Sequence, residues 1–205
     1  MEPKELLGIL KIANNLKINT RHCYTVDNRK ESVADHSWRV SLMALLLKNE
    51  EEFKSVDMDK VIHMCLIHDL GEAFTGDIPT FLKSKENEDK EDNLYFKWVE
   101  NFSEPNKSYW RSLLEEMIAL ETQEAKIYKC LDKLEAVISH NESDIKTWLD
   151  LEYDLQLTYG SNDVKFSPYF IKLKEEIDKW TIEKIKTEKP ERGSGEKICI
   201  VLKGY

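Results

Sequence analysis

The chain has 205 residues, of which 41% are hydrophobic and 34% charged, with a formal net charge of −9. Those proportions describe one globular domain long enough to bury a full core, and they exclude an intrinsically disordered chain. The acidic balance argues against nucleic acid or an anionic membrane as a partner, yet leaves room for a small anionic substrate, since a metal ion and one or two cations can reverse the field inside a cleft.

Seven glycines and five prolines punctuate the chain, and apolar residues recur at spacings of three and four, so the predicted fold class is all-α. A first helix follows Pro3, with Leu6, Ile9, Leu10 and Ala13 on one stripe. A polar loop, "KINTRHCYTVDNRKES", leads to a strongly apolar helix starting near His36 and running through "WRVSLMALLLKN". Asp57 or Asp59 caps a short helix, "MDKVIHMCLIHDL", stopped by Gly71. The run "SKENEDKEDN" at 84–93 is a solvated loop or helix surface. Helices are then predicted over about 93–102, 108–120 and 122–140, with amphipathic segments over about 142–158 and 168–187. The last stretch differs: "TEKPERGSGEK" is linker-like, and "ICIVLKGY" suits a short strand or a disordered tail. One domain over 1–187 and a tail over 188–205 is the expected organisation.

Cys23, Cys65, Cys130 and Cys199 form no C-x-x-C pair, and Cys65 and Cys130 lie in apolar helical runs, so reduced core residues are expected. The start, "MEPKELLGILKIANN", is charged at once, and no apolar run approaches the roughly 20 residues of a membrane span. A soluble, reducing, cytoplasmic setting is the expectation.

Five histidines are few enough to weigh singly. His22, His63 and His140 read as structural or surface groups. His36, after Asp35 at a helix start, and His68, before Asp69 at a helix end, stand where a side chain can reach a cleft. No H-E-x-x-H is present, and His63 and His68, five apart, turn about 140° away from each other on a helix, so they cannot chelate as a pair. The absence of repeated Glu-x-x-His removes a carboxylate-bridged di-iron bundle. A metal site would therefore be assembled from separated segments. Taken alone, His68–Asp69 is equally a polar helix end. Asp132, at the edge of the apolar face formed by Ile127, Tyr128, Leu131, Leu134, Val137 and Ile138, is equally an ordinary boundary carboxylate.

Together, "ESVADHSWRV", "HDLGEAFTGDIPTF" and "CLDKLEA" resemble the HD superfamily of metal-dependent phosphohydrolases, and within it the HD-domain 5′-deoxynucleotidase family, over about residues 5–160. The resemblance implies a helical bundle with a metal site in a central cleft. It implies that His36, His68, Asp69 and Asp132 bind one divalent ion, drawn from Mn²⁺, Co²⁺, Fe²⁺, Zn²⁺ or Mg²⁺. Glu72 would position or deprotonate the attacking water, and Asp77 would hold the sugar or complete the water network, with Gly76 letting the backbone fold back. Arg21 matches the family's phosphate-binding arginine, a role suited to a guanidinium; Lys83 and Lys133 are weaker candidates.

One position departs from the pattern. Members commonly carry tryptophan just after that arginine, associated with recognising deoxyribose, where this chain has His22, with Tyr24 the nearest aromatic. The implied reaction is hydrolysis of a (deoxy)nucleoside 5′-monophosphate to nucleoside and phosphate, by a homodimer of the kind usual for similar proteins, with an interface on apolar stripes around 93–120 and the tail. Two alternatives stand beside it: the same metal site acting on a triphosphate, cyclic or alarmone nucleotide, or a non-catalytic helical binding protein.

Overall fold

The computed structural model describes residues 1–189. The element order is α1 (Pro3–Ala13), a 3₁₀ turn (Asn14–Lys17), β1 (Thr20–Tyr24), β2 (Lys30–Ser32), α2 (Val33–Leu47), α3 (Met58–Ile67), α4 (Glu72–Thr75), α5 (Lys85–Val99), α6 (Asn106–Ala119), α7 (Gln123–Glu142), α8 (Glu152–Thr158) and α9 (Pro168–Glu188). The predicted tail strand lies outside the described residues.

The caps set the helix starts. Ser32 Oγ accepts from Asp35 N at 3.2 Å and Asp35 Oδ2 accepts from Ser32 N at 2.9 Å, a reciprocal box that starts α2. Asp57 caps α3, Thr122 caps α7 and Ser167 caps α9, each by accepting a first-turn backbone N–H. α2 buries Val33, Val40, Ala44 and Leu47 along one stripe, α3 buries Val61, Met64 and Cys65, and α7 buries Ile127, Leu131, Leu134 and Val137. These three helices pack together at the centre of the molecule. α9 lies against α7 and α8, and α5 packs on α4 and α6.

The predicted loop at 17–32 contains an antiparallel hairpin, in which Thr20 pairs with Ser32 and Tyr24 with Lys30. Asn28 adopts φ 62°, and Thr25 N donates to Arg29 O at 2.8 Å, closing a turn at "VDNR". The β-formers Thr20 and Tyr24 stand at the two ends of β1, and Val26 opens the turn. With five and three residues, the strands are too short for alternation to show in the sequence.

Other boundaries also move. The charge run is the first half of α5, opened by a Ser84–Asn87 capping box. α3 ends at Ile67, before Gly71, and the chain turns through His68–Gly71 into α4. The segment at 142–158 divides into the end of α7, a 3₁₀ turn at Ile145–Thr147 and α8. The apolar residues of 93–120 largely serve this chain's own core: Tyr95, Val99, Leu113, Leu114 and Met117 are all buried. Large apolar side chains are exposed at Leu6, Leu7 and Leu10 of α1 and at Trp38, Leu45 and Leu46 of α2, and within 93–120 at Tyr109, Ile118 and Leu120. No described helix is long and apolar enough to cross a membrane.

Candidate active site

The end of α3 is held from both sides. Tyr95 OH donates to Ile67 O at 2.8 Å, and His68 Nδ1 donates to Cys65 O at 2.8 Å. The second bond fixes the imidazole tautomer and leaves the Nε2 lone pair facing inward. On α2, the fully buried His36 is arranged alike: its Nδ1 bonds to Glu135 of α7, again leaving Nε2 as the inward atom.

The two Nε2 atoms face each other at 3.2 Å. Asp69 Oδ2 lies 3.1 Å from His68 Nε2 and 3.7 Å from His36 Nε2. Asp132 Oδ1 lies 3.1 Å from His36 Nε2 and 3.6 Å from His68 Nε2. Two imidazole lone pairs and two carboxylates thus meet at one point, from α2, the turn after α3, and α7. Lone pairs pointed at one another repel unless something positive stands between them. This donor set therefore fits a divalent cation of the transition series. Without one, the histidines take up protons: burial opposes charge on His68, but Asp69 and Asp132 outweigh it and raise its pKa to about 10. Burial likewise works against ionised Asp132, yet Lys129, His36 and His68 hold it well below the usual carboxylate range.

A second grouping, Glu31, His36 and Glu135, does not fit a cation. Glu135 already accepts from Arg39 Nε at 2.6 Å and Arg21 NH1 at 3.3 Å as well as from His36, while Glu31 accepts from the same Arg21 nitrogen at 3.1 Å. Its charge is answered by protein cations.

Around the convergence point, Asp69, Glu72, Asp77, Arg21, Lys83 and Asp132 line a cleft of about 850 Å³. Glu72 is 4% exposed, and its Oε2 is buried with no hydrogen-bond partner among the described residues. Burial, then Asp69 and Asp77, push its carboxyl up to about 10. The backbone beneath it is pinned by two asparagines: Asn19 Nδ2 donates to Glu72 O at 2.6 Å and Asn15 Nδ2 to Ala73 O at 3.0 Å. Gly76 follows with φ 75°, a conformation that a Cβ would strain, and turns Asp77 back to the cleft. Burial also raises Asp77, against the pull of Arg21.

A chamber of about 520 Å³ adjoins this cleft and shares Arg21, Asp77, Thr80 and Tyr159 with it. His22, Phe81, His140, Glu152, Leu155 and Gln156 line the rest. The His22 ring meets Phe81 edge-on, with centroids 5.6 Å apart, and its Nε2 lies 3.4 Å from Glu152 Oε1 without hydrogen-bond geometry. His140, expected to be structural or at the surface, stands in this chamber, with Nε2 3.0 Å from Glu152 Oε1. His63 lies elsewhere, 2.6 Å from Tyr109 OH.

All eight residues singled out for chemistry, Arg21, His22, His36, His68, Asp69, Glu72, Asp77 and Asp132, therefore belong to one connected region, together with Lys83 and Lys133. Sequence reasoning passed over Glu135, Lys129, Asn15, Asn19 and Gln156. Glu135 carried a faint signal, standing three residues after Asp132 on a helix; the asparagines carried none.

The HD domain family matches residues 13–174. The chain belongs to the HD domain family. Similar proteins include human 5′-deoxynucleotidase HDDC2, 28% identical over 183 residues that cover 85% of each chain. The 5′-deoxynucleotidase YGK1 of Saccharomyces cerevisiae is 30% identical over 189 residues, covering 87% of this chain and 81% of that one. The same fold is found in a predicted metal-dependent phosphohydrolase from Magnetospirillum magnetotacticum, with a TM-score of 0.72 at 23% identity over 87% of this chain and 91% of that one. Among its described residues this HD domain is helical apart from short turns and loops and the hairpin that carries Arg21 and His22.

Proposed function

We propose that this protein is a divalent-metal-dependent phosphoric monoester hydrolase that cleaves (deoxy)nucleoside 5′-monophosphates to nucleoside and phosphate. The observation that carries the reading is the convergence of His36, His68, Asp69 and Asp132 beside a cleft with an orphaned buried carboxylate oxygen. The similarity to 5′-deoxynucleotidases over most of the chain supports the substrate class.

His36, His68, Asp69 and Asp132 would hold the divalent ion, which when bound would supply Lewis acidity toward the phosphoryl group and acidify water. Glu72, beside Asp69 in the cleft, would be kept ionised by the charge of the bound ion, which opposes the rise that burial and Asp69 cause, and takes the proton of the attacking water. As the water oxygen bonds to phosphorus, the P–O5′ bond breaks, and the proton taken from water is passed on to the departing nucleoside oxygen, which closes the balance. Arg21 orients the phosphate oxygens with its guanidinium, and Lys83 adds positive charge at the cleft. Asp77, at the junction of cleft and chamber, and His22, on the chamber wall, meet the sugar, and the chamber takes the base.

Four cations line the cleft, and each already has a carboxylate. Lys83 pairs with Glu91 at 3.0 Å, Lys129 with Asp132 at 2.8 Å, Lys133 with Asp163 at 2.7 Å, and Arg21 with Glu31 at 3.1 Å. Among the described residues that line the cleft there is no cation beyond these four, a modest positive charge that supports a monophosphate over a polyphosphate. Buried Cys23, Cys65 and Cys130, all free thiols, support a reducing cytoplasmic setting. A homodimer is the assembly expected, read by light scattering.

The test is phosphate release from ribo- and deoxyribonucleoside mono-, di- and triphosphates by metal-stripped protein, with each divalent ion added back. Release from monophosphates in the presence of metal is expected. Turnover confined to triphosphates, or none with any metal, would remove the reading.

A further inference from the structure

Gln156, on α8, is 3% exposed and lines the chamber, but not the metal-side cleft. Its amide has no hydrogen-bond partner among the described residues, and His22 Nε2 in the same chamber likewise lacks one, whereas other polar side chains nearby are engaged. Glu152, one turn earlier, accepts from Leu149 N at 2.6 Å and pairs with His140 at 3.0 Å. His140 Nδ1 donates to Ala136 O at 2.9 Å. Asn141 and Thr181 bond to each other at 2.9 Å, and Lys174 Nζ donates to Leu157 O at 3.2 Å. Folding satisfies each of these groups and leaves the Gln156 amide facing the cavity.

An amide that folding leaves without a protein partner at a cavity wall keeps its donor and acceptor free for a ligand in that cavity. The chamber shows what kind of ligand. Its shared wall with the cleft is Arg21, Asp77, Thr80 and Tyr159, so a phosphate ester held on the metal side extends its remaining part past them. Phe81 and Leu155 make the far walls apolar, and His22 presents a ring edge-on to Phe81. A flat heteroaromatic body fits such walls, with Gln156 at its polar edge. A primary amide offers a donor and an acceptor side by side and pairs with the adjacent donor and acceptor on a nucleobase edge. The neighbouring Glu152 carboxylate is already engaged and does not compete.

We infer that Gln156 is a specificity-determining residue that hydrogen-bonds the edge of the substrate's nucleobase. The inference rests on the nucleotide reading above and adds to it the group that reads the base.

The test compares wild type with Gln156→Leu on deoxynucleoside 5′-monophosphates and on 2-deoxyribose 5-phosphate, which keeps sugar and phosphate but has no base. The expected result is a loss in kcat/KM of about 10- to 100-fold on nucleotides, carried by KM, and no change on the sugar phosphate. Gln156→Glu should reorder the bases toward guanine, whose N1–H and N2–H groups both donate to a carboxylate, a change that a merely structural role would not produce. Calorimetric binding of free deoxynucleosides to metal-free wild type and variants reads the same contact without turnover. An equal loss on both substrate types, unchanged affinity for nucleosides, or wild type that binds no nucleoside would overturn the inference. If nucleosides bind and Gln156→Leu abolishes that binding while no phosphate ester is hydrolysed, the hydrolase reading fails and the base contact stands.

Discussion

His36 and Arg21, from α2 and β1, are joined through one buried carboxylate: Glu135 accepts from His36 Nδ1 and, at 3.3 Å, from Arg21 NH1. Burial works against a charge on Glu135, but His36, Arg21 and Arg39 hold its pKa well below the usual carboxylate range. An imidazole that donates to a carboxylate is oriented and made a better metal ligand. The same carboxylate aims the guanidinium at the cleft. Position of the metal and position of the phosphate are therefore coupled.

Glu135→Gln should weaken metal affinity by about 10- to 100-fold and raise KM through a less ordered Arg21. Because it removes the charge that answers two arginines and His36, it should also destabilise the fold, by about 3 kcal/mol. Metal titration and urea unfolding of the same variant check both. Unaltered metal affinity in a folded variant would break the proposed link.

Glu72→Gln keeps the shape of a carboxyl and removes the base. Metal content should match wild type while kcat falls by about 10²- to 10⁴-fold. Metal analysis beside steady-state kinetics separates the two effects, and an unchanged kcat would assign the proton transfer to another group.

Metal removal should lower thermal stability as well as activity. An ion present at a hundred times its dissociation constant stabilises the folded state by about 2.7 kcal/mol, or about 5–10 °C in Tm for a chain of this size. A chelator should reverse the rise, and Asp69→Ala should show neither the rise nor turnover. A metal-dependent rise in that variant would place the ion elsewhere.

His140 supplies a pH-dependent contribution outside the metal cluster. Burial disfavours its charge, but Cys23 and Glu152 prevail and raise its pKa from 6.5 to about 10. Since the folded value exceeds the unfolded one, the stabilisation is complete below about pH 6.5 and fades as the pH rises toward 10. The advantage of wild type over His140→Gln in urea midpoint should shrink across that interval. A gap that stays constant with pH would mean that packing, not charge, accounts for it.

Apolar spacing and capping residues were enough to foresee α1, α2, α7 and α9, because helix formation depends on neighbours three and four apart in the chain. The sequence also located the turn at His68–Gly76, where a histidine, two carboxylates and two glycines crowd into one short stretch. It did not reveal the hairpin, whose strands are too short for a period to register, nor that the 84–93 charge run is helical, since a solvated face looks alike in loop and helix.

What only the tertiary structure decided are relations across long stretches of chain. Its own pattern left Asp132 a boundary carboxylate and only the family resemblance made it a ligand; the packing of α7 against α2 and α3 is what puts it 3.1 Å from His36. Glu135, Asn15 and Asn19 have nothing local to mark them, because each acts on a partner at least 53 positions away. Gln156 is the extreme case. Its meaning lies in a partner the fold does not supply, and such an absence becomes visible only when every neighbouring polar group has been placed.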